Sequence, residues 1–285
     1  MECYSVLMSV YEKAKPEFFR QAMLSMVDQT VRTDDFVLVC DGPLTKELDK
    51  VIDEFVNKYP KLFQIIRLKE NVGIGAAANI GLQHCKNDLI AKMDADDIAA
   101  LNRCELQLNA FSANPQLVVL GGYMAEFDQN PDEPYAIREV PLSNEDIRKF
   151  ARRRQPFSNV TVMYRKSEVL KVGGYHPMER NEDFDLYIRL LHAGCYAMNL
   201  SDVLTSARTD RSAMKRRASW QTLRGCAKSR WNSLRIGYCS VLDFLVCVCG
   251  QFAVWACPVR IQEWIYQRFL RKEIEQPKTA YRSDP

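Results

Sequence analysis

Short apolar runs alternate with amphipathic segments along the first hundred residues of this chain. Four runs are predicted to be buried strands, and they cover residues 4–10, 36–40, 63–68 and 89–93. The segments between them carry apolar residues at helical spacing, which predicts helices over residues 16–29, 48–59 and 75–85. This β-α-β-α order is typical of a doubly wound, mostly parallel sheet with helices on both faces. Ligands of such sheets bind outside the carboxyl ends of the strands.

The second half of the chain is less regular. A strand is predicted over residues 160–164, and a helix is predicted to begin at Asn181 as N-cap and to stop at Gly194. Glu182 and Asp183 then occupy the first turn, where the helix dipole favours their ionised forms. Two interpretations remain open: simple helix-end electrostatics, or a carboxylate placed to accept a proton from a substrate hydroxyl.

An acidic turn follows the fourth predicted strand. Asp94, Asp96 and Asp97 repel one another unless water or a cation offsets their charge. Mg²⁺ and Mn²⁺ take oxygen ligands and share them with substrate phosphates, so this turn is a candidate metal and diphosphate site. The alternatives are a simple solvated turn, or a turn in which Asp96 or Asp97 is the N-cap of a helix over residues 98–111. A calcium loop is excluded because Ile98 and Ala99 stand where that loop needs an oxygen ligand and a glycine.

Other polar residues follow the neighbouring strands. Tyr11 and Glu12 come after the first strand, Asp41 after the second, and Gly73 before the third helix. Right-handed crossovers bring these positions to one edge, so they are expected around one cleft with the acidic turn. Asp41 also has a structural alternative of equal weight, because it begins an Asp-Gly-Pro turn whose carboxylate can accept from backbone N–H groups.

Charge divides the chain into two parts. Residues 1–207 carry 24 basic and 30 acidic side chains, a net −6, whereas residues 208–272 carry 13 basic and 3 acidic, a net +10. An acidic body with a local basic section argues against a nucleic-acid binder. The apolar run 244–257 reaches about 21 Å as a helix, short of the ~30 Å hydrocarbon core. With the amphipathic segment 259–272, it predicts an extension on an anionic membrane surface, the alternative being a helix packed on the protein's own core.

These patterns predict three units. Residues 1–207 form the α/β domain, residues 208–275 form the basic helical extension, and residues 276–285 form a loose tail. The ten cysteines have no framework-like spacing, which indicates thiols in a reducing compartment. The start of the chain lacks signal-peptide features, so a cytoplasmic location is expected.

Several motifs in order and spacing resemble those of family 2 glycosyltransferases. The resemblance covers roughly residues 4–205. It is carried by the segments at 5–11, 25–30 and 39–42, by Asn71-Val72-Gly73 with Ala78-Asn79-Ile80-Gly81, by Met93-Asp94-Ala95-Asp96-Asp97 and by Asn181-Glu182-Asp183.

The resemblance implies a GT-A (Rossmann-like) fold, a nucleotide-sugar donor that is usually a UDP-sugar, and inverting transfer assisted by Mn²⁺ or Mg²⁺. It also implies that the domain has a nucleotide-sugar half over about residues 1–120 and an acceptor half over about residues 121–207. Tyr11 and Asp41 match positions that hold the base and ribose, and Glu12 is assigned to the same donor site. Asp94 and Asp96 match the DXD pair, with Asp96 the better candidate for direct metal contact. Asp183 matches the catalytic base, and Arg217 is a further candidate for a diphosphate contact.

Two departures from the family pattern narrow the expected reaction. Ala78 stands where many members carry arginine, and Gln221-Thr222-Leu223-Arg224-Gly225 lacks the tryptophan of the Q-x-x-R-W motif of processive enzymes. We therefore expect one sugar added per encounter to an undecaprenyl-diphosphate-linked saccharide at the inner face of the cytoplasmic membrane, in capsule, exopolysaccharide or O-antigen synthesis. The alternatives are a sugar-nucleotide nucleotidyltransferase and a non-catalytic membrane-bound scaffold of the same fold.

Overall fold

The computed structural model describes residues 2–209 and 219–256, together with the backbone of Lys272–Glu273. The strands, β1 to β10 in chain order, are Tyr4–Val10, Asp35–Cys40, Phe63–Arg67, Leu89–Asp94, Ile98–Ala99, Leu117–Phe127, Ala136–Arg138, Met163–Arg165, Tyr196–Arg208 and Lys272–Glu273. The helices, α1 to α9, are Pro16–Val27, Lys46–Lys58, Ile74–His84, Arg103–Ala113, Asn144–Ala151, Lys166–Lys171, Glu182–His192, Trp220–Arg235 and Val241–Ala256.

The described strands form one mixed sheet, with the order β10-β7-β6-β8-β4-β1-β2-β3. Strands β3, β2, β1 and β4 are parallel, as the β-α-β-α pattern predicts. The antiparallel strand β8 then joins β4 to β6, and β9 runs parallel to β6 while pairing with the short β5. Because β1 to β4 are parallel, their carboxyl ends lie at one edge of the sheet. The acidic turn follows β4 at this edge.

Helices cover both faces of the sheet, and the apolar residues of the parallel strands supply two cores. In β2, Phe36 and Leu38 pack with α1 and α2, whereas Val37 packs on the opposite side with α3 and α7. Successive strand side chains point to opposite faces, so a continuous apolar run is required where both faces are covered. The predicted two-sided α/β architecture is confirmed.

Two elements start later than the sequence indicates. The helix that the capping alternative placed over residues 98–111 begins only at Arg103, because Ile98 and Ala99 instead pair with Ser206 and Thr205 of β9. The strand expected over 160–164 is present as β8 at Met163–Arg165, and a 3₁₀ turn covers Asn159–Thr161 before it. In both places a pairing partner distant in sequence decides the local structure.

The C-terminal helices α8 and α9 pack together, and α8 also packs on α7. At Gly225 of α8, an added Cβ would lie 2.7 Å from both the Cβ and the carbonyl oxygen of Arg180, so the absent side chain permits this approach. Residues 244–256 of the predicted apolar run lie within α9, and Cys257 lies outside the described residues. None of the helices within the described ranges is long and apolar enough to cross a membrane. Arg217, most of the 259–272 segment and the predicted tail lie outside the described residues.

Candidate active site

The acidic turn lies directly after β4, between β4 and β5. Asp97 is buried, and its Oδ1 accepts a hydrogen bond of 3.0 Å from the backbone N–H of Arg208 in β9. Burial raises the pKa of Asp97 well above its usual range, and repulsion from Asp96 and Asp94 adds to this rise. The helix-cap alternative is wrong, because α4 starts several residues later. The turn instead concentrates carboxyl groups, as a cation site requires.

Lys92 supplies a buried positive charge beside this turn. Its Nζ lies 3.0 Å from Asp94 Oδ1, and 6 % of its side chain is exposed. Burial opposes the charged form, but Asp94 and then Asp183 outweigh it and raise the pKa of the Lys92 ammonium. Lys92 therefore links two acidic groups that are separated by almost ninety residues in sequence. Its signal in the sequence is a lysine two positions before Asp94, on the same strand face.

Arg103 holds the strand beneath the turn. The side chain is fully buried, and its Nη2 donates to the carbonyl oxygens of Lys92 at 2.8 Å and Val162 at 3.3 Å. Its Nε also donates to Gln107 Oε1 at 3.1 Å. Burial lowers the pKa of this guanidinium. Arg103 thus joins α4, β4 and the segment before β8, a role that sequence spacing does not predict.

Asp183 lies in the first turn of α7, as predicted. Its Oδ1 accepts from the backbone N–H of Phe184 at 2.7 Å, and its Oδ2 accepts from Gln155 Nε2 at 2.8 Å. Burial raises the pKa of Asp183, while the Lys92 ammonium opposes that rise. Asp94 also acts on this carboxylate, which raises the pKa further. The start of α7 and the acidic turn therefore act on each other electrostatically.

The start of α7 departs from the predicted cap. Asn181 is the N-cap residue, but it adopts a left-handed conformation with φ of 64°, and its side chain makes no capping hydrogen bond within the described ranges. The neighbouring Glu182 packs on α3, where a Cβ at Gly75 would lie 3.3 Å from Glu182 Cγ. Burial raises the pKa of Glu182 to about 7, and the adjacent Asp183 contributes. The first turn of α7 therefore carries two carboxyl groups, those of Glu182 and Asp183, in different environments.

Asp41 lies at the end of β2 and holds the approach to α3. Its Oδ1 accepts from the Val72 N–H at 2.7 Å, and its Oδ2 accepts from the Gly73 N–H at 3.1 Å. Gly73 has φ of 88°, a conformation that favours glycine. The structural alternative for Asp41 is therefore present in the fold. Each carboxylate oxygen retains a second acceptor direction for a ligand.

Tyr11 and Glu12 occupy the loop after β1, and both are exposed. The Tyr11 carbonyl oxygen accepts from the Ala14 N–H at 3.0 Å, which closes a turn and leaves the ring 46 % exposed. These residues lie at the same sheet edge as Asp41, whose N–H donates to the Val10 carbonyl oxygen at 2.8 Å. The predicted donor positions therefore share the carboxyl ends of β1 and β2.

A cavity of about 300 Å³ opens beside Asp183. Its walls come from α7, from the loop carrying Gln155, and from the C-terminal helices α8 and α9. Gln155 was not identified from the sequence. It lies in an irregular basic segment, and only the fold brings it to Asp183.

The described part of the chain contains no group of three His, Cys, Asp or Glu side chains that could hold a metal ion without other ligands. Asp94 and Asp96 nevertheless provide the hard oxygen donors that Mg²⁺ and Mn²⁺ prefer, and such ions are commonly held by one or two carboxylates plus substrate phosphates. Burial and then repulsion from Asp96 and Asp94 raise the pKa of Asp97, and a bound cation would relieve the repulsion among these carboxylates. The residues present fit a cation shared with a diphosphate.

The chain belongs to glycosyl transferase family 2, whose family model matches residues 5–173. It is 38 % identical to an uncharacterized glycosyltransferase of Haemophilus influenzae, over 94 % of this chain and 99 % of that protein. It is 33 % identical to an Escherichia coli UDP-Gal:alpha-D-GlcNAc-diphosphoundecaprenol beta-1,3-galactosyltransferase, over 94 % and 97 %. It is 36 % identical to the amylovoran biosynthesis glycosyltransferase AmsE of Erwinia amylovora, over 78 % and 82 %. The chain is thus a glycosyltransferase, rather than the nucleotidyltransferase or scaffold that the sequence left as alternatives.

Solved structures share the fold at low sequence identity. The mannosyltransferase PcManGT from Pyrobaculum calidifontis, in complex with GDP-Man and Mn²⁺, aligns with a TM-score of 0.65 at 13 % identity, over 89 % of this chain and 70 % of that one. S. aureus TarS 1-349, in complex with UDP-GlcNAc, aligns with a TM-score of 0.61 at 15 % identity, over 92 % and 78 %. The GT-A fold expected from the resemblance is confirmed.

Proposed function

We propose that this enzyme is an inverting, metal-dependent transferase that moves a sugar from a UDP-sugar to a saccharide linked to undecaprenyl diphosphate. The observation that carries the proposal is the arrangement of Asp183 and the acidic turn around Lys92. One group can accept a proton, and the other can hold a cation and diphosphate. Sugar transfer from a nucleotide requires both functions within one cleft.

The donor half of the proposed site consists of Tyr11, Glu12 and Asp41 for the nucleoside, with Asp94 and Asp96 for the metal. A bound Mn²⁺ or Mg²⁺ would stabilise the negative charge on the leaving diphosphate. The likeness to a nucleotide-sugar and Mn²⁺ complex and to a UDP-GlcNAc complex supports this assignment at the level of the fold. Arg217 is proposed as a further diphosphate contact, as in the sequence interpretation.

Asp183 is proposed as the catalytic base. The acceptor hydroxyl loses its proton to the Asp183 carboxylate while its oxygen forms a bond to the anomeric carbon of the donor sugar. The bond from that carbon to the diphosphate breaks, and UDP leaves with the bonding electrons. The Phe184 N–H and the Gln155 amide fix the carboxylate, and burial makes it more basic than an exposed aspartate.

The acceptor class follows from the relatives' names and from the C-terminal helices. The E. coli relative is named for a GlcNAc-diphosphoundecaprenol substrate and the Erwinia relative for amylovoran biosynthesis. A role in bacterial surface polysaccharide synthesis is therefore proposed for this chain.

Association with the inner face of the cytoplasmic membrane is part of the proposal. We define the hairpin surface as the exposed large apolar side chains of α8 and α9: Trp220, Trp231, Val241, Leu242, Leu245, Val246, Phe252 and Trp255. An exposed apolar patch with several tryptophans is typical of a surface that meets a membrane or partner. Because the proposed acceptor is lipid-linked, we propose that this surface meets a membrane rather than a protein partner.

A UDP-release assay tests the proposed function. Purified enzyme is supplied with UDP-galactose, UDP-glucose or UDP-GlcNAc, with GlcNAc-diphosphoundecaprenol, and with Mn²⁺ or EDTA. We expect acceptor-dependent UDP release that EDTA abolishes and that Asp96→Ala lowers by about 100-fold or more. The exposed Asp128→Ala is the matched control and should match wild type. Equal release in EDTA would contradict metal dependence, and pyrophosphate release from a nucleoside triphosphate would contradict the reaction class.

A further inference from the structure

The cavity beside Asp183 has the size and lining of a sugar subsite. Its volume of about 300 Å³ lies at the lower end for small-molecule pockets, which suits a single saccharide unit. Amide and hydroxyl side chains line it from four separate segments, among them Asn159, Asn181, Ser229 and Gln251. Such groups both donate and accept hydrogen bonds, as sugar hydroxyls do.

Gln155 connects this cavity to the proposed base. Its Nε2 donates to Asp183 Oδ2 at 2.8 Å, which fixes the orientation of the amide. Its Oε1 is buried, lacks a hydrogen-bond partner within the described part of the chain, and belongs to a residue that lines the cavity. A buried acceptor without a hydrogen-bond partner destabilises the protein. A ligand hydroxyl that donates to Gln155 Oε1 would remove this penalty, which favours binding of the ligand.

Two arginines make the cavity wall cationic. Arg138 Nη2 donates to the carbonyl oxygens of Gln155 and Phe157, both at 3.2 Å. Arg230 is buried, donates through Nη2 to the Arg153 carbonyl oxygen at 2.8 Å, and lies with its guanidinium 3.8 Å from the centre of the Phe184 ring. The Arg138 guanidinium also acts on Asp183 and lowers the pKa of its carboxyl group, so the cavity wall brings positive charge next to the proposed base.

The outer wall of the cavity is the α8–α9 hairpin. Ser229 and Arg230 of α8 and Gln251 of α9 line the cavity, whereas the same helices expose the hairpin surface elsewhere. One pair of helices therefore presents polar groups to the cavity and apolar groups to the outside. A molecule with a sugar, a diphosphate and a long hydrocarbon chain likewise has a polar part followed by an apolar part.

We propose that this cavity is the acceptor subsite, that α8 and α9 form its outer wall, and that Gln155 is a positioning residue that orients Asp183 and accepts a hydrogen bond from an acceptor hydroxyl. The inference rests on the proposed function. It adds which part of the chain selects the acceptor. The donor half of the cleft is separate, so acceptor and donor parameters should respond differently to changes here.

Steady-state kinetics of Gln155→Met and Gln251→Leu test this assignment, with the exposed Gln129→Leu as matched control. The substrates are the UDP-sugar and GlcNAc-diphosphoundecaprenol pair that supports UDP release by wild type. For Gln155→Met we expect kcat/KM for the acceptor to fall about tenfold to a hundredfold, because both hydrogen bonds of the amide are lost. For Gln251→Leu we expect a KM for the acceptor about five- to tenfold higher with kcat retained. The KM for the donor should stay within about twofold in both variants.

Calorimetric titration of UDP keeps the outcome interpretable. Unchanged UDP affinity shows that a variant is folded. Acceptor parameters equal to wild type in folded Gln155→Met and Gln251→Leu would overturn the inference, as would a parallel rise in the KM for the donor. Absence of UDP release by wild type with every donor and acceptor would instead reject the proposed function.

Discussion

At the scale of single residues, the site is a balance of buried charges. Lys92 faces Asp94 directly and raises the local positive potential at Asp183, so one ammonium partly offsets two carboxylates. Glu182 and Asp97 lack an equal compensation, and burial raises the pKa of both. Such groups cost folding free energy once they ionise, which is typical of functional sites.

Glu182→Gln should show this cost as a dependence of stability on pH. Burial raises the pKa of Glu182 from 4.5 to about 7, so the folded state binds more protons than the unfolded state between these values. The contribution of Glu182 to stability is present below pH 4.5 and is lost as the pH rises through 7. Urea unfolding should therefore find Glu182→Gln stabilised relative to wild type at pH 8 by about 1–3 kcal/mol more than at pH 5.

The control for this measurement is Glu179→Gln, a neighbouring glutamate with an exposed side chain. It should change the free energy of unfolding by similar amounts at the two pH values. An equal effect of Glu182→Gln at pH 5 and pH 8 would contradict the buried, charge-costing environment.

Sequence reasoning located the acidic residues but not the groups that act on them. Asp94 and Asp183 stand out because carboxylates after a strand and at a helix start are legible patterns. Lys92 reads as an ordinary strand residue, and Arg103 as an exposed helical arginine, until the fold buries them. Gln155 has no local signal, because its partner Asp183 is 28 positions away along the chain.

At the scale of elements, α9 is tied to the loop that carries Gln155. Ser240 and Asp243 form a capping box: the Asp243 N–H donates to Ser240 Oγ at 3.1 Å, and the Ser240 N–H donates to Asp243 Oδ2 at 3.1 Å. The same carboxylate pairs with Arg152 at 3.0 Å and Arg153 at 2.5 Å. Although burial alone would raise it, the pKa of Asp243 is lowered by these hydrogen bonds and ion pairs. One buried aspartate thus begins α9 and anchors it.

Asp243→Asn should detach α9 more than loss of a helix cap alone would. The variant is expected to lower the free energy of unfolding by about 1–3 kcal/mol, because Arg152 and Arg153 lose their charge partner. The matched control is the exposed Asp146→Asn in α5, where the Asp146 N–H donates to Ser143 Oγ at 3.1 Å and Ser143 Oγ donates to Asp146 Oδ2 at 2.7 Å. Thermal unfolding and limited proteolysis between α8 and α9 measure the difference. Equal destabilisation by the two variants would mean that the arginine pairs contribute nothing.

Elements were predicted correctly where a local sequence pattern determines them. They were predicted less well where pairing with a distant segment determines the structure. The four parallel strands and three intervening helices were predicted within a few residues of their observed ends, because continuous apolar runs and helical spacing mark them. Ile98 and Ala99 belonged to a helix in one of the alternatives, yet a strand more than a hundred residues later pairs with them. The spacing of Ser240 and Asp243 fits a capping box, but this box was not among the predictions from the sequence.

At the scale of the molecule, the candidate site residues at the strand ends and the hairpin surface lie on different elements. The proposed donor positions lie at the carboxyl ends of β1, β2 and β4, while the hairpin surface lies on α8 and α9. The cavity beside Asp183 lies between the α7 start and these helices.

Membrane binding of the hairpin surface is testable by flotation with phosphatidylglycerol vesicles. The double variant Leu242→Ser and Leu245→Ser removes two apolar side chains one helical turn apart, and each is worth about 1.5–3 kcal/mol when buried. We expect the bound fraction at limiting lipid to fall at least about tenfold in partition coefficient. Leu101→Ser is the control, because Leu101 is 63 % exposed and Leu242 is 62 % exposed. Equal binding by the double variant and the control would contradict a role for this surface.

The most direct test of the central claim is Asp183→Asn, assayed for turnover and for UDP binding in the same preparation. The substitution keeps the shape of the side chain and removes its capacity to accept a proton. We predict that kcat falls about 10²- to 10⁴-fold while the UDP dissociation constant in Mn²⁺ stays within about threefold. Asp202→Asn, at an exposed position, should match wild type in both. Retained turnover, or loss of UDP binding in parallel with turnover, would contradict Asp183 as the base of this transferase.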